Sequence, residues 1–162
     1  MAEFLYTPIN RFNEELPLLK LKVLEEFTFR ALIDTSIKHN LIDPTFIYFE
    51  VDEDYYTCLE ENEYPYFLAK PKMYLFKDQF EALGTHKMVI RNDVKQTVDK
   101  LNFNFEVNGK KYSDIFSVFK LNESLYRVED VLIDIVLGTD FLINNNWVID
   151  YKKKVIYFPK NL

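Results

Sequence analysis

Ala31-Leu32-Ile33-Asp34-Thr35-Ser36 is an apolar run that ends on an acidic residue followed by two hydroxyl residues. Because its first three residues are apolar on both faces of a strand, the run predicts a doubly buried strand at the centre of the fold. Much later, Asp134-Ile135-Val136-Leu137-Gly138-Thr139-Asp140-Phe141-Leu142 is a second apolar strand that ends on Gly and opens a short helix. We expect this second element to pack beneath the loop that carries Asp34.

The composition predicts a folded chain that is built mainly from strands. Hydrophobic residues make up 48% and aromatic residues 17% of the 162 residues, which is too apolar for a disordered chain. The length predicts one domain over residues 1–162. The formal net charge of −6 argues against non-specific binding of nucleic acid, which requires a basic surface.

The rare residue types argue against several further classes of protein. Cys58 is the only cysteine, and the two histidines, His39 and His86, are far apart in the sequence, so we expect no disulfide, no metal site and no cofactor. Without a run of 18 apolar residues, no membrane-spanning helix is expected. Residues 1–10 lack the basic start and apolar core of a signal peptide, so we expect a cytoplasmic protein.

Alternation of apolar and polar residues predicts further strands on both sides of Asp34. Asn108-Gly109 is the strongest hairpin signal in the chain. We expect short helices at Phe76 to Leu83, ended by Gly84, and at Thr139 to Asn145. Residues 45–85 are acidic and rich in tyrosine, and they predict an elaborated surface insertion. The predicted strands are at 18–24, 27–33, 87–90, 94–98, 101–107, 112–119, 131–137, 147–150 and 155–158.

This order of elements resembles one monomer of a retropepsin-like aspartic protease of LTR retroelements and plant pararetroviruses. The resemblance covers a core of residues 18–158 and leaves 45–85 unmatched. It implies a mainly β fold, a closed β-barrel or sandwich with a flap hairpin and one short helix, that acts as a two-fold dimer. The matching positions are Leu32 to Ser36, His39-Asn40, the hairpin around Asn92-Asp93, Asn108-Gly109, Leu137 to Leu142, and Val148-Ile149-Asp150 through Phe158.

The resemblance also implies a role for each matched residue. Asp34 would be catalytic, and because the chain has a single Asp-Thr-Ser motif, two copies must meet as a homodimer to form the two-Asp site. Thr35 would bond across the dimer axis and Ser36 would supply backbone donors, while Leu137 and Gly138 would support the loop from below. The flap that closes over an extended peptide would comprise Val89, Ile90, Arg91, Asn92, Asp93 and Val94.

The activity implied is endopeptidase cleavage of a retroelement polyprotein, in the cytoplasm or within virus-like particles. The chain departs from the family pattern at Ser36, where Gly is usual, at Ile37, where a small residue is usual, and at the flap tip, which lacks Gly. Two other classes therefore stay open. One is a retropepsin-like dimerisation or peptide-binding module with weak or no catalysis, and the other is an unrelated β-rich binding domain.

Overall fold

The computed structural model describes residues 2–11, 14–24, 27–44, 48–50, 70–71, 79–89, 95–121 and 131–159. Within these residues the chain is mainly β, with one short helix, α1 (Thr139–Asn144). No helix of the described part is both long and apolar enough to cross a membrane. The strands are β1 (Ala2–Leu5), β2 (Thr7–Arg11), β3 (Glu14–Leu24), β4 (Phe27–Ile33), β5 (Asn40–Ile42), β6 (Tyr48–Glu50), β7 (Lys70–Pro71), β8 (Phe80–Val89), β9 (Lys95–Val107), β10 (Lys110–Val118), β11 (Ile135–Leu137), β12 (Val148–Asp150) and β13 (Val155–Phe158).

The strand that leads to Asp34 lies inside the larger sheet, whose order is β2-β3-β4-β11-β5-β10-β9-β8. Strands β4 and β11 are parallel, with Ala31 opposite Ile135 and Ile33 opposite Leu137. Strand β5 pairs antiparallel with the other side of β11 and parallel with β10. The prediction of a doubly buried central strand before Asp34 is therefore confirmed, and the second apolar run lies directly beside it.

Two hydrophobic clusters cover the two faces of these central strands. Ala31, Ile33 and Leu137 belong to the larger cluster, whereas Leu32 and Val136 belong to the smaller one. Since successive side chains of a strand point to opposite faces, this division explains why both runs are continuously apolar. All five side chains are fully buried, and each large one contributes about 1.5–3 kcal/mol by leaving water.

Aromatic side chains form the interior of the larger cluster. Phe103 on β9 stacks on Phe80 at a centroid distance of 4.6 Å and meets Phe116 edge-on at 5.5 Å. Phe141 of α1 packs edge-on against Trp147 at 5.1 Å. This packing joins strands β8 to β10 to the helix and to the chain that follows it.

A smaller sheet of order β1-β13-β12 joins the two ends of the described chain. The hairpin from β12 to β13, which the sequence predicts, is confirmed, with Ile149 opposite Ile156. The predicted Asn108-Gly109 turn is also confirmed, and both residues have the positive φ angles, 50° and 81°, that this turn requires. Strands β1 and β2 were not predicted.

The closed barrel implied by the resemblance is not found among the described residues. The larger sheet begins at β2 and ends at β8, and no pairing between these two strands closes it. Instead, the sheet curves so that β3 packs against β9 across the core. Leu19 and Leu21 of β3 share the larger cluster with Phe103 and Phe105 of β9.

The helix predicted at Phe76 to Leu83 is wrong where the structure describes it. Residues 76–78 lie outside the described residues, and β8 begins at Phe80, which pairs with Phe103. Gly84 has φ 89° and lies at an irregularity of register between Ala82 and Thr85. The glycine therefore marks a bulge within a strand rather than the end of a helix.

Only a few residues of the predicted insertion at 45–85 are described. Strands β6 and β7 form a two-stranded antiparallel pair, and the last part of the segment belongs to β8. The remaining residues of the acidic stretch, with Cys58, lie outside the described residues.

Candidate active site at the end of strand β4

Asp34 follows the last residue of β4 and is fully buried. Its backbone N–H donates to the carbonyl of Leu137 over 3.1 Å, so the parallel ladder of β4 and β11 continues to the acid itself. The backbone of Asp34 is therefore held by the neighbouring central strand.

The carboxylate of Asp34 is bonded within its own turn. Asp34 Oδ1 accepts a hydrogen bond from the Ser36 backbone N–H at 2.9 Å and one from Ser36 Oγ at 2.5 Å. The carbonyl of Asp34 accepts from the Ile37 N–H at 3.4 Å. Asp commonly forms such a turn at a strand exit, and here the turn fixes the direction of the carboxylate, while Thr35 and Ser36 are exposed.

The loop after this turn rests on the start of α1. Thr139 N–H donates to the carbonyl of Ile37 at 2.9 Å, and Asp140 N–H donates to the carbonyl of Lys38 at 3.2 Å. Thr139 Oγ1 also donates to the carbonyl of Ile37, at 3.2 Å. The helix start thus supports the loop through backbone donors that have no partner within a helix.

Gly138 lies where the loop and the end of β11 approach most closely. A Cβ atom at this position would lie 2.6 Å from the carbonyl oxygens of both Lys38 and His39, which is closer than van der Waals contact allows. Gly138 N–H donates to Asn40 Oδ1 at 3.1 Å. The close approach of two backbones explains why Gly is needed here.

Asn40 is a buried residue of this site to which the sequence analysis gave no role. Besides accepting from Gly138, it donates through Nδ2 to the carbonyl of Ile115 at 3.2 Å. It therefore connects the Gly138 turn to β10. The available signal was a polar side chain at the start of an apolar strand, which is expected to be hydrogen-bonded when it is buried.

The structure brings together five of the predicted site residues: Asp34, Thr35, Ser36, Leu137 and Gly138. Their positions are described, but their catalytic and supporting roles remain predictions. The predicted flap is described only in part. Strands β8 and β9 form an antiparallel pair that extends to Val89 opposite Lys95, and the predicted tip, Ile90 to Val94, lies outside the described residues.

A second group of buried acids, which the sequence did not reveal, lies at the start of β11 and the end of β5. Asp134 Oδ2 accepts from the Arg30 N–H at 2.7 Å, and Asp43 Oδ1 accepts from the Leu121 N–H at 3.1 Å. Burial is the main reason that the pKa of Asp134 is raised; the Asp43 charge adds to it, and Arg30 opposes it.

Groups suited to binding a metal do not occur in the described part of the chain. No three residues among His, Cys, Asp and Glu lie close enough there to hold an ion. The arrangement around Asp34 offers one oriented carboxylate. A second carboxylate would be needed to form an acid–base pair with it.

Comparison with solved structures gives distant likeness in fold. No family model matches the chain, and no curated protein matches it. The crystal structure of the retroviral protease-like domain of Ddi1 from Leishmania major is similar with a TM-score of 0.39 and 14% identity, over 99% of this chain and 92% of that one. At these values the likeness decides neither the family nor the function of the chain.

Proposed function

We propose that the chain is a retropepsin-like aspartic endopeptidase that acts as a homodimer on extended peptides, as in the processing of a retroelement polyprotein. The observation that supports this best is the placement of Asp34. It follows a central buried strand and lies in a turn that orients its carboxylate. The parallel strand β11 and Gly138 support it from below.

Two such carboxylates provide the chemistry that peptide hydrolysis needs. When two carboxylates lie close together they share one proton, so one is charged and the other is neutral. The charged Asp34 takes a proton from a water molecule as the water oxygen attacks the peptide carbonyl. The neutral Asp34 of the partner donates its proton to the carbonyl oxygen, and a proton then passes to the leaving nitrogen.

The homodimer is required because the chain has one Asp-Thr-Ser motif. In a dimer about a two-fold axis, each subunit contributes one Asp34. The hairpin of β8 and β9 would close over the peptide, with main-chain pairing for affinity and alternate side-chain pockets for selectivity.

Replacing Asp34 by Asn tests the proposal. Asn keeps the size and the acceptor oxygen but cannot carry the charge or the shared proton, so we expect cleavage of a mixed-peptide library to fall roughly 10²- to 10⁴-fold. Asp150→Asn is a matched control, because Asp150 also ends a strand and accepts a turn N–H, from Lys153 at 2.9 Å. Cleavage that survives in Asp34→Asn would refute the proposal.

The solution mass of the wild type, measured alongside the same cleavage assay, tests the dimer. Half a site does nothing, so activity per chain should fall when the protein is diluted below its dissociation constant. A monomer that cleaves at full rate would contradict the shared site. A monomer that cleaves nothing would leave only a β-rich binding domain.

Two observations favour a second candidate, a dimerisation or peptide-binding module with weak or no catalysis. Asp34 is fully buried in the single chain, and the hydroxyl of Ser36, where the family usually has Gly, bonds to its Oδ1. A carboxylate that takes a proton from water must contact that water. A dimer that binds peptides but cleaves none, in wild type and Asp34→Asn alike, would support this candidate.

A further inference from the structure

A pocket of about 290 Å³ lies outside the Asp34 turn, between the loop that follows it, strands β8 to β10 and helix α1. Its lining combines four side chains that can carry positive charge with two carboxylates. The cationic group consists of Lys38, His39, His86 and Lys100, and the acids are Asp114 and Asp140.

His86 is half-buried, and a hydrogen-bond contact fixes its position. Its Nε2 lies 2.8 Å from Ser117 Oγ, and Ser117 is buried. Burial is the main cause that lowers the pKa of His86, and the charges of Lys100 and His39 lower it further. Lys100 and His39 line the same pocket as His86, so their charges would repel the charge of a protonated His86.

The two carboxylates do not remove this repulsion around His86. Asp114 Oδ1 accepts the backbone N–H of Ile115 at 2.8 Å, so its charge is directed partly toward its own strand. Asp140 lies in the first turn of α1, where an acid is stabilised by the helix dipole. While His86 is neutral, the two lysines balance the two acids, and a proton gained by His86 makes the pocket more positive.

We propose that this pocket binds a small oxyanion group, a carboxylate or a phosphate, between Lys38, Lys100 and the imidazole of His86. Such a group would relieve the repulsion among the cations and form charge-assisted hydrogen bonds with the lysines. A protonated His86 would keep its contact with Ser117 through Nε2 and offer a second donor at Nδ1. Binding should therefore tighten as the pH falls and His86 gains its proton.

This proposal does not depend on the protease activity, since it uses neither Asp34 nor the dimer. Two sources share the chemistry: free phosphate and the acidic side chain of a peptide. Inorganic phosphate and an acetylated tri-glutamate peptide are the two probes that distinguish them. Phosphate alone would indicate a small-ion site, and the peptide alone would indicate a site for acidic peptide side chains.

Titration of the His86 imidazole by NMR tests the proposal, with the resonance assigned through His86→Gln. We expect a probe to shift this resonance and to bind more tightly at about pH 5 than at about pH 8, because the lowered pKa of His86 lies below the ordinary histidine value. Lys100→Gln should weaken binding roughly tenfold, because a hydrogen bond to a charged group is lost. Asp140→Asn should tighten it, because a repelling charge is lost.

Lys87→Gln is the matched control for Lys100→Gln. Lys87 is next to His86 on β8 and is exposed, but it does not line the pocket. The proposal is overturned if neither probe shifts the His86 resonance at either pH, or if Lys87→Gln weakens binding as much as Lys100→Gln. Should Lys100→Gln fail to fold, Lys38→Gln, at an exposed position that also lines the pocket, makes the same test.

Discussion

Buried carboxylates lie beside both ends of the short central strand β11, but they are bonded in different ways. At one end, Asp34 accepts from Ser36, two residues further along the chain. At the other end, Asp134 accepts from Arg30, 104 residues away, and Asp43 accepts from Leu121, 78 residues away. Local bonds orient a side chain, whereas bonds between distant residues hold separate parts of the chain together.

This difference separates Asp34, a candidate catalytic residue, from Asp134 and Asp43, which stabilise the fold. The Asp34 carboxylate is positioned by its own turn, so changing its charge should affect activity more than folding. The carboxylates of Asp134 and Asp43 bond to backbone groups of other segments, so changing them should affect folding first. Substitutions at both ends, ranked by their expected effect on stability, test this distinction.

Gly138→Ala should have the largest effect on stability, although the residue carries no charge. An added Cβ would lie 2.6 Å from two backbone carbonyl oxygens, and these cannot move without disturbing the loop of Asp34. We expect a loss of about 3 kcal/mol, the upper end for overpacking, measured by urea unfolding. Such a variant should also lose any peptide cleavage.

Gly109→Ala is the matched control for Gly138→Ala. Gly109 has no atom within 4 Å of an added Cβ, and only its φ of 81° opposes the change. The expected loss is about 1 kcal/mol, the cost of a left-handed conformation. Equal losses at the two glycines would show that the close approach at Gly138 does not matter.

Asp134→Ala should have the next largest effect on the free energy of unfolding. The change removes the acceptor at 2.7 Å from the Arg30 N–H and leaves that partly buried donor without its side-chain partner. Loss of such a bond costs about 2 kcal/mol. Asp134→Asn keeps an acceptor oxygen and should lose less; an equal loss in both variants would contradict the role given to this bond.

The sequence predicted the elements whose signals are local. The bounds of β4 at 27–33 match the predicted strand, which alternates at first and ends on three apolar residues. The turn at Asn108-Gly109 follows from the need for positive φ angles. Helix α1 begins directly after Gly138, as expected, and ends one residue before the predicted end.

Elements that depend on distant partners could not be predicted. Strand β1 exists because Phe4 pairs with Ile156, and Phe80 lies in a strand because it pairs with Phe103. Likewise, no local signal shows that Asn40 bonds to Gly138, 98 residues away. Closure of the sheet depends on the twist and curvature of the whole sheet, which no single segment encodes. The sequence therefore could not show that the expected barrel would be open among the described residues.

Ser36→Gly should have a smaller effect on stability but a visible effect on activity. The change removes the Ser36 Oγ donor to Asp34 Oδ1 but keeps the backbone donor, so we expect a loss of about 1 kcal/mol. It also frees space for water beside Asp34, which the proposed hydrolysis requires. Peptide cleavage should increase in Ser36→Gly and not in Ser113→Gly, a change at an exposed serine on β10.

The smallest expected effect is a change in how stability depends on pH. Burial raises the pKa of Asp134 in the folded chain above the ordinary value of 3.8. At a pH between 3.8 and this raised pKa, the folded chain therefore binds more protons at Asp134 than the unfolded chain. Its contribution to the free energy of unfolding is therefore present at low pH and is lost as the pH rises through the raised pKa. Asp134→Asn does not titrate, so the difference in unfolding free energy between wild type and variant should change in this window, in favour of the variant at higher pH. Urea unfolding in steps from about pH 4 to about pH 7 measures this difference, and a difference that does not change with pH would show that the Asp134 carboxylate has the same pKa in both states.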